Sequence, residues 1–281
     1  MNELQKVSII IPCFNDAEFI EQSVQSAQDQ TYENKEIIVV NDGSNDETKA
    51  VLERLESKIT LLITQENKGT SAARNTGIEA ASGEYILVLD SDDYFEPEFC
   101  EKAIEIFEKD FETKMVTSYG QRFREDPFGP TIKPGGGDLK NFLFRNASLG
   151  TMFRLQDWIV VGGYDEKMKL GFEDWEFYIR LHENGGKTYV IPEVLFFYRH
   201  KENSRTQNAN LHKYELLSYI YKKHQNLFKD HFELFIDSLL SKLRKEEDQK
   251  IRIRNKIEFR LGEKFLKPVR FIKSWLNKSY L

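Results

Sequence analysis

Cysteine is nearly absent: Cys13 and Cys100 are the only two in 281 residues. Two thiols are too few for a disulfide framework or a thiolate metal site, and they suit a reducing compartment. No run approaches the roughly 20 apolar residues that span a bilayer. The N-terminus has no basic region leading into a long apolar stretch, so no signal peptide is expected. Internal repeats and low-complexity segments are also missing. What is plentiful is aromatic: 21 Phe and 12 Tyr, within a hydrophobic fraction of 40%, supply a sizeable core. Such a length suits one large α/β domain with additions, or two small domains.

Charge is unevenly placed. From Ser241 onward 13 Lys and Arg face 5 Asp and Glu, whereas the preceding residues carry 27 against 41. An acidic body with a basic tail points to an anionic partner for the tail, or simply to a solvated helical face. No nucleic-acid partner is expected.

The first half alternates strand and helix. Residues 7–12 (VSIIIP), 36–41 (EIIVVN), 59–64 (ITLLIT) and 84–90 (EYILVLD) are short apolar runs of the kind buried parallel strands show. Helical stretches at about 17–29, 46–56 and 70–81 separate them, so right-handed crossovers and a parallel sheet are predicted. Ligands of such sheets bind beyond the carboxyl ends of the strands. Three strands run there into Pro12-Cys13-Phe14-Asn15, Asn41-Asp42-Gly43-Ser44 and Asp90-Ser91-Asp92-Asp93, which should converge. Next come a helix near 97–109, a strand near 115–122 and a Pro- and Gly-rich stretch at 124–138 that reads as a long mobile loop. A helix at about 173–183 and strands near 187–191 and 194–199 follow, then helix from about Leu211, with Pro268 as a break.

Each polar cluster has two readings. Asp90 and Asp92 could offer oxygen ligands to a hard divalent cation, or Asp92 or Asp93 could cap the helix starting near Pro97. Asp42 could accept hydrogen bonds from a nucleobase or ribose, while Ser44 or Asp46 caps the next helix. Arg74 lies one turn beyond a glycine-bearing loop, placed to reach a diphosphate or simply to sit on the surface. Glu173 and Asp174 stand at a helix start, where the dipole stabilises negative charge with or without catalysis.

Taken together, VSIIIPCFNDAEFI, EIIVVNDGSNDET, NKGTSAARNTGIEAASGEYILVLDSDD, GGYDEKMKLGFEDWEFYIRL and FYRHKENS, in this order and spacing, resemble the family 2 inverting glycosyltransferases over roughly residues 5–206. The resemblance implies a GT-A fold: a Rossmann-like, mostly parallel central sheet flanked by helices, here with a C-terminal helical extension. The nucleotide-sugar half would be 1–115, the acceptor half 116–210 and the basic extension 211–281. The 124–138 loop and the 140–172 segment would shape the acceptor site. The resemblance also implies a UDP-linked donor and a divalent metal, Mn²⁺ or Mg²⁺. Pro12 and Phe14 would line the base pocket and Asp42 would bind the base. Asn67 and Arg74 would lie near the diphosphate, Asp90 on the ribose side and Asp92 on the metal. Asp174 matches the general base, with Glu173 beside it. Relatives often carry a histidine two residues after the arginine of the YR segment, matching Arg199 here. This sequence has Lys201 there and His200 one place earlier, so either His200 joins Asp92 on the metal or Lys201 contacts phosphate instead, with Arg199 and Lys201 on the nucleotide-sugar side.

The implied activity is metal-dependent transfer of a sugar, with inversion, to a hydroxyl of a glycan or lipid-linked acceptor in bacterial surface polysaccharide synthesis, on the cytoplasmic face of the membrane. A noncatalytic glycan- or nucleotide-binding protein of the same fold and a nucleotidyltransferase are the alternatives. In the tail, Ile253, Ile257, Leu261 and Phe265 recur every fourth residue, flanked by Lys256, Arg260, Lys264 and Lys267. Ile272, Trp275 and Leu276 follow at helical spacing. This stripe suits peripheral contact with an anionic membrane, packing on the catalytic domain, or a homo-oligomer interface.

Overall fold

The computed structural model describes residues 5–124, 129–201 and 205–256, together with Leu261, Phe265 and Leu266. Most of the tail stripe, including Ile257, Arg260, Lys264, Lys267, Pro268, Ile272, Trp275 and Leu276, lies outside the described residues. The chain divides into two compact units, Met1–Gln225 and Asn226–Leu281.

The first unit opens with β1 (Val7–Cys13), α1 (Ile20–Gln28), β2 (Lys35–Asp42), α2 (Asp46–Leu55), β3 (Leu61–Gln65), α3 (Thr70–Glu79) and β4 (Tyr85–Val88). β1 pairs in parallel with both β2 and β4, and β2 with β3. The continuous apolar runs follow from burial on both faces. Ile9 and Ile11 pack with Ile20 and Val24 of α1 on one side, and each buried aliphatic of this size is worth about 1.5–3 kcal/mol. Ile10 and Val40 face α3 on the other, where Gly77 permits the approach: a Cβ there would meet Ile10 Cγ2 at 2.5 Å.

Beyond β4 the sheet is mixed. β5 (Tyr94–Phe95), α4 (Phe99–Lys109), β6 (Thr113–Phe123), β7 (Thr131–Ile132), α5 (Leu139–Phe142), β8 (Thr151–Arg154), α6 (Leu155–Val161), α7 (Glu173–Glu183) and β9 (Lys187–Arg199) complete the sheet and its cover. The strand order is β3-β2-β1-β4-β8-β6-β9-β5, with β7 on β6. β8 runs antiparallel to both β4 and β6, while β6 and β9 are parallel. So the sheet is parallel through the first half, as the sequence predicts, and mixed beyond it, where the parallel β6–β9 pair lies between antiparallel neighbours. The two strands read near 187–191 and 194–199 are one: pairing jumps from Ser118–Ile191 to Tyr119–Val194, and Pro192, which cannot donate to the ladder, sits in the bulge. Part of the stretch read as a mobile loop is β7, and Gly137 bridges to Thr188.

After β9 come α8 (Arg205–Leu211), α9 (Lys213–Lys223), α10 (Gln225–Asp230) and α11 (Phe232–Asn255). α8 and α9 belong to the first unit, so its boundary falls later than residue 210. The tie is ionic as well as apolar. Leu216 and Ile220 of α9 are buried. Glu176 of α7, fully buried, accepts hydrogen bonds from both Arg180 Nε and Nη2 (2.9 and 2.7 Å) and lies 2.8 Å from Lys223 Nζ and His224 Nε2. α11 buries none of its residues. No helix among the described residues is long and apolar enough to cross a membrane.

Burial alone would raise the Glu176 carboxyl, but His224, Arg180 and Lys223 outweigh it and hold it down at about 2, below its ordinary 4.5. Its stabilisation is therefore complete above pH 4.5 and is lost as the pH falls toward 2. Glu176→Ala should cost about 3–5 kcal/mol in urea unfolding at neutral pH, the scale of a broken buried ion pair. The deficit should shrink in the same measurement below pH 3. An equal deficit at both pH values would show that lost packing, not charge, dominates.

Candidate active site

The three strand-end clusters do converge, and side-chain hydrogen bonds lace them together. Asn15, at a left-handed φ of 56° that asparagine tolerates, donates its N–H to Ser44 Oγ (3.1 Å) and accepts from Asn45 N (2.7 Å). Asn45, rather than Ser44 or Asp46, caps α2 by accepting from Thr48 N. Gly43 has a φ of 72°, and a Cβ there would meet Asn67 N at 2.7 Å. Only glycine lets this turn approach the Asn67 loop.

Phe14, just beyond the end of β1, is exposed, and Pro12 within the strand is buried. Asp42 is buried and occupied. Its Oδ1 accepts from Gln65 Nε2 (2.7 Å) and Lys68 N (2.9 Å), and its Oδ2 from Gly69 N (2.9 Å). It therefore shapes the 67–69 loop, in which Asn67 is exposed.

The Asp90–Asp93 run does not cap a helix. α4 begins later, at Phe99, with Glu98 as its N-cap residue. Instead each acid has its own compensation. Asp90 Oδ1 accepts from Arg74 Nη2 at 2.7 Å. Its partial burial opposes ionisation, yet Arg74, then Arg205 and Lys201, hold its carboxyl below the ordinary range. Asp93 is 2% exposed and accepts from Arg199 N (2.8 Å). Burial, then Asp92 and Asp90, push its carboxyl well above the usual range. Asp92 Oδ2 lies 2.9 Å from Lys201 Nζ, which also reaches Asp16 Oδ1 at 2.6 Å.

Arg74 is no surface arginine. It is 5% exposed, lies over the Tyr164 ring, and donates from Nη1 to Glu173 Oε1 at 2.9 Å. Glu173 is itself buried and also accepts from Arg205 Nη1 (2.9 Å). That geometry suits Glu173 to positioning rather than proton transfer. Phe172 enters α7 at a φ of 62°, preceded by Gly171 at 120°. A bulky residue in this region marks local strain, spent here on placing Glu173 and Asp174 at the helix start. Asp174 is partly buried and accepts from Asn146 Nδ2 (2.6 Å) and Trp175 N (2.7 Å). Burial and then the Glu173 charge push its carboxyl up to about 6. A carboxylate near that value is a competent base close to neutral pH.

Arg199 donates from Nε to Asp92 O (2.9 Å) and from Nη2 to Gln22 Oε1, and its guanidinium lies 4.4 Å from both the Phe19 and Phe123 rings. Arg199 and Lys201 both lie over Phe19. His200, just beyond β9, is half-buried and donates its backbone N–H to Phe123 O (2.9 Å). Among the described residues no group of three or more His, Cys, Asp or Glu side chains could hold a metal ion. Asp92 could lend one oxygen, but an ammonium already stands against it. These side chains fit a divalent cation poorly.

Asp16, Asn146 and Arg205 were missed from the sequence. Arg205 directly follows the matched FYRHKENS segment, which was a usable signal. Asp16 sits within VSIIIPCFNDAEFI but had no spacing to mark it. Nothing in the sequence ties Asn146 to Asp174.

The model of glycosyl transferase family 2 matches residues 8–161, and the chain belongs to that family. It is 41% identical over 105 residues to the putative glycosyltransferase EpsH of Bacillus subtilis, covering 36% of this chain and 30% of that one. It is 31% identical over 192 residues to the hyaluronan synthase of Pasteurella multocida, covering 66% and 19%. The chain thus spans less than a third of either relative. Among solved structures, S. aureus TarS 1–349 in complex with UDP-GlcNAc shares the fold, with a TM-score of 0.61 at 19% identity over 72% of this chain and 60% of that one. The expected GT-A fold is therefore present.

Removing Arg74 should expose the strain it relieves. Arg74→Met should lose about 3–5 kcal/mol of stability by leaving two carboxylates facing a buried void of charge. Arg74→Met combined with Glu173→Met should recover part of the loss, since replacing both partners removes the orphaned ion. Additive losses in chemical denaturation would show that the two side chains act independently.

Proposed function

We propose that this protein transfers a sugar from a nucleotide-diphospho-sugar, UDP-linked, to a hydroxyl of a glycan or lipid-linked acceptor, with inversion, in the synthesis of a bacterial surface polysaccharide. The observation that carries this reading is the Asp90–Arg74–Glu173 bridge. It ties the strand-end crevice, where α/β sheets bind nucleotides, to the helix start that presents Asp174. The UDP-GlcNAc complex of TarS and the hyaluronan synthase relative support the donor and acceptor classes.

Phe14 offers a ring face to a base, and the Asn67 loop, braced by Asp42, borders the nucleotide. Asp174 takes the proton from the acceptor hydroxyl as that oxygen attacks the anomeric carbon. The bond from that carbon to the diphosphate oxygen breaks from the opposite face, and the nucleoside diphosphate leaves with the electron pair. A single displacement inverts the configuration.

Because Asp174 must be ionised to act, kcat/KM should rise with pH through about 6. Asp174→Asn should lower turnover by about 10²–10⁴-fold and abolish that acid limb, while UDP binding stays near the parental value. Transfer at the parental rate would assign the base elsewhere. UDP binding without any transfer by the parent would favour the noncatalytic alternative, and pyrophosphate release the nucleotidyltransferase.

The same reading takes the basic C-terminal segment to an anionic membrane surface, where lipid-linked acceptors reside. Phe232, Leu240, Leu243, Ile251 and Ile253 are exposed on α11, and each Lys or Arg near such a surface contributes about 1 kcal/mol. The full chain should co-sediment with phosphatidylserine-containing liposomes at low salt and be released at high salt. A protein that stays in the supernatant but sediments as a dimer would make the segment an oligomer interface.

A further inference from the structure

The Lys201 ammonium is boxed in on three sides. Asp16 Oδ1 lies 2.6 Å away, Asp92 Oδ2 2.9 Å, and the Phe19 ring face 4.3 Å below. Asp16 is itself held, its Oδ2 accepting from Ser91 Oγ at 2.5 Å. Two carboxylates from two strand ends thus aim at one point, and the group at that point is a side chain of the protein.

We propose that Lys201 is a tethered cation that serves the diphosphate of a bound nucleotide-sugar in place of a dissociable divalent metal. The inference rests on the nucleotide-sugar reading above. An ammonium has three N–H donors. Two go to Asp16 and Asp92, which leaves one for a phosphate oxygen at the mouth of the same crevice. The acids are also paired. Asp16 and Asp92 are both paired with Lys201, and the Arg199 guanidinium stands on the same Phe19 face. Asp90 is matched by Arg74. A dication on Asp92 would have to displace the lysine or sit beside its positive charge. A lysine side chain is ordinarily charged throughout the neutral range, so the cation is present without any ion in solution.

Titration calorimetry of UDP into the full chain, in EDTA and in Mn²⁺, tests this directly. The parent should bind UDP equally, within about twofold, in both conditions, and Lys201→Ala should bind about 10–100-fold more weakly in EDTA, the scale of a lost charge-assisted hydrogen bond. Lys201→His places a neutral imidazole, a metal ligand, at the same point. It should bind weakly in EDTA and recover in Mn²⁺, converting the site to metal dependence. Circular dichroism and thermal melts establish that each variant is folded. Should Lys201→Ala fail to fold, the parent's EDTA and Mn²⁺ titrations decide alone. A parent that needs Mn²⁺ to bind UDP, or a folded Lys201→Ala that binds as the parent does in EDTA, overturns the proposal. A parent that binds no UDP in either condition overturns the nucleotide-sugar reading, and this inference with it.

Discussion

Acid crowding at the end of β4 is the constraint around which the site is arranged. Asp90, Asp92 and Asp93 stand within four residues, with Asp16 close by, and their mutual repulsion has to be met at short range. Three devices from elsewhere in the sequence meet it: the Arg74 guanidinium of α3, the Lys201 ammonium just beyond β9, and the Arg199 backbone N–H, which donates to Asp93. The fourth device is burial, which pushes the Asp93 carboxyl up and so disfavours a further charge. Long-range order follows from this compensation. Lys201 ties the end of β9 to the ends of β1 and β4, and Arg74 ties β4 to α7.

That wiring has a consequence for chemistry. One Arg74 guanidinium contacts both Asp90 and Glu173. Under the proposed function this joins the nucleotide and acceptor sides, so that the arrangement is set before any ligand arrives, which is where an enzyme gains from orientation rather than from new bonds. The strained Phe172 and the Asn146 hydrogen bond fix Asp174 in the same preorganised manner. Burial beside Glu173 then tunes its proton affinity toward the working range.

The parallel half of the fold was legible because burial on both faces writes itself as unbroken β-branched runs. The convergence of Phe14, Asp42 and Asp90 followed from strand direction alone. The antiparallel β8 and the bulged β9 were not legible, since a four-residue strand and a proline within a strand carry no periodic signal. Roles were harder than positions. Asp42 and Arg74 lie where the sequence put them. Their hydrogen bonds, however, go to Gly69, Gln65, Asp90 and Glu173, partners set by tertiary contacts up to 99 residues apart. The same holds for Lys201: its place just after the YR segment was visible, while the Asp16–Asp92 box around it was not.

Hydrogen–deuterium exchange with and without UDP tests most directly whether these strand ends form one nucleotide site. The account predicts slowed exchange together in residues 13–16, 41–45, 67–69 and 90–95, with the rest of the sheet unchanged. A separate cavity of about 720 Å³, lined among others by Trp158, Tyr164, Lys167 and Tyr219, lies elsewhere on the same unit. Protection confined to the segments around that cavity, with the strand ends unaffected, would contradict the account.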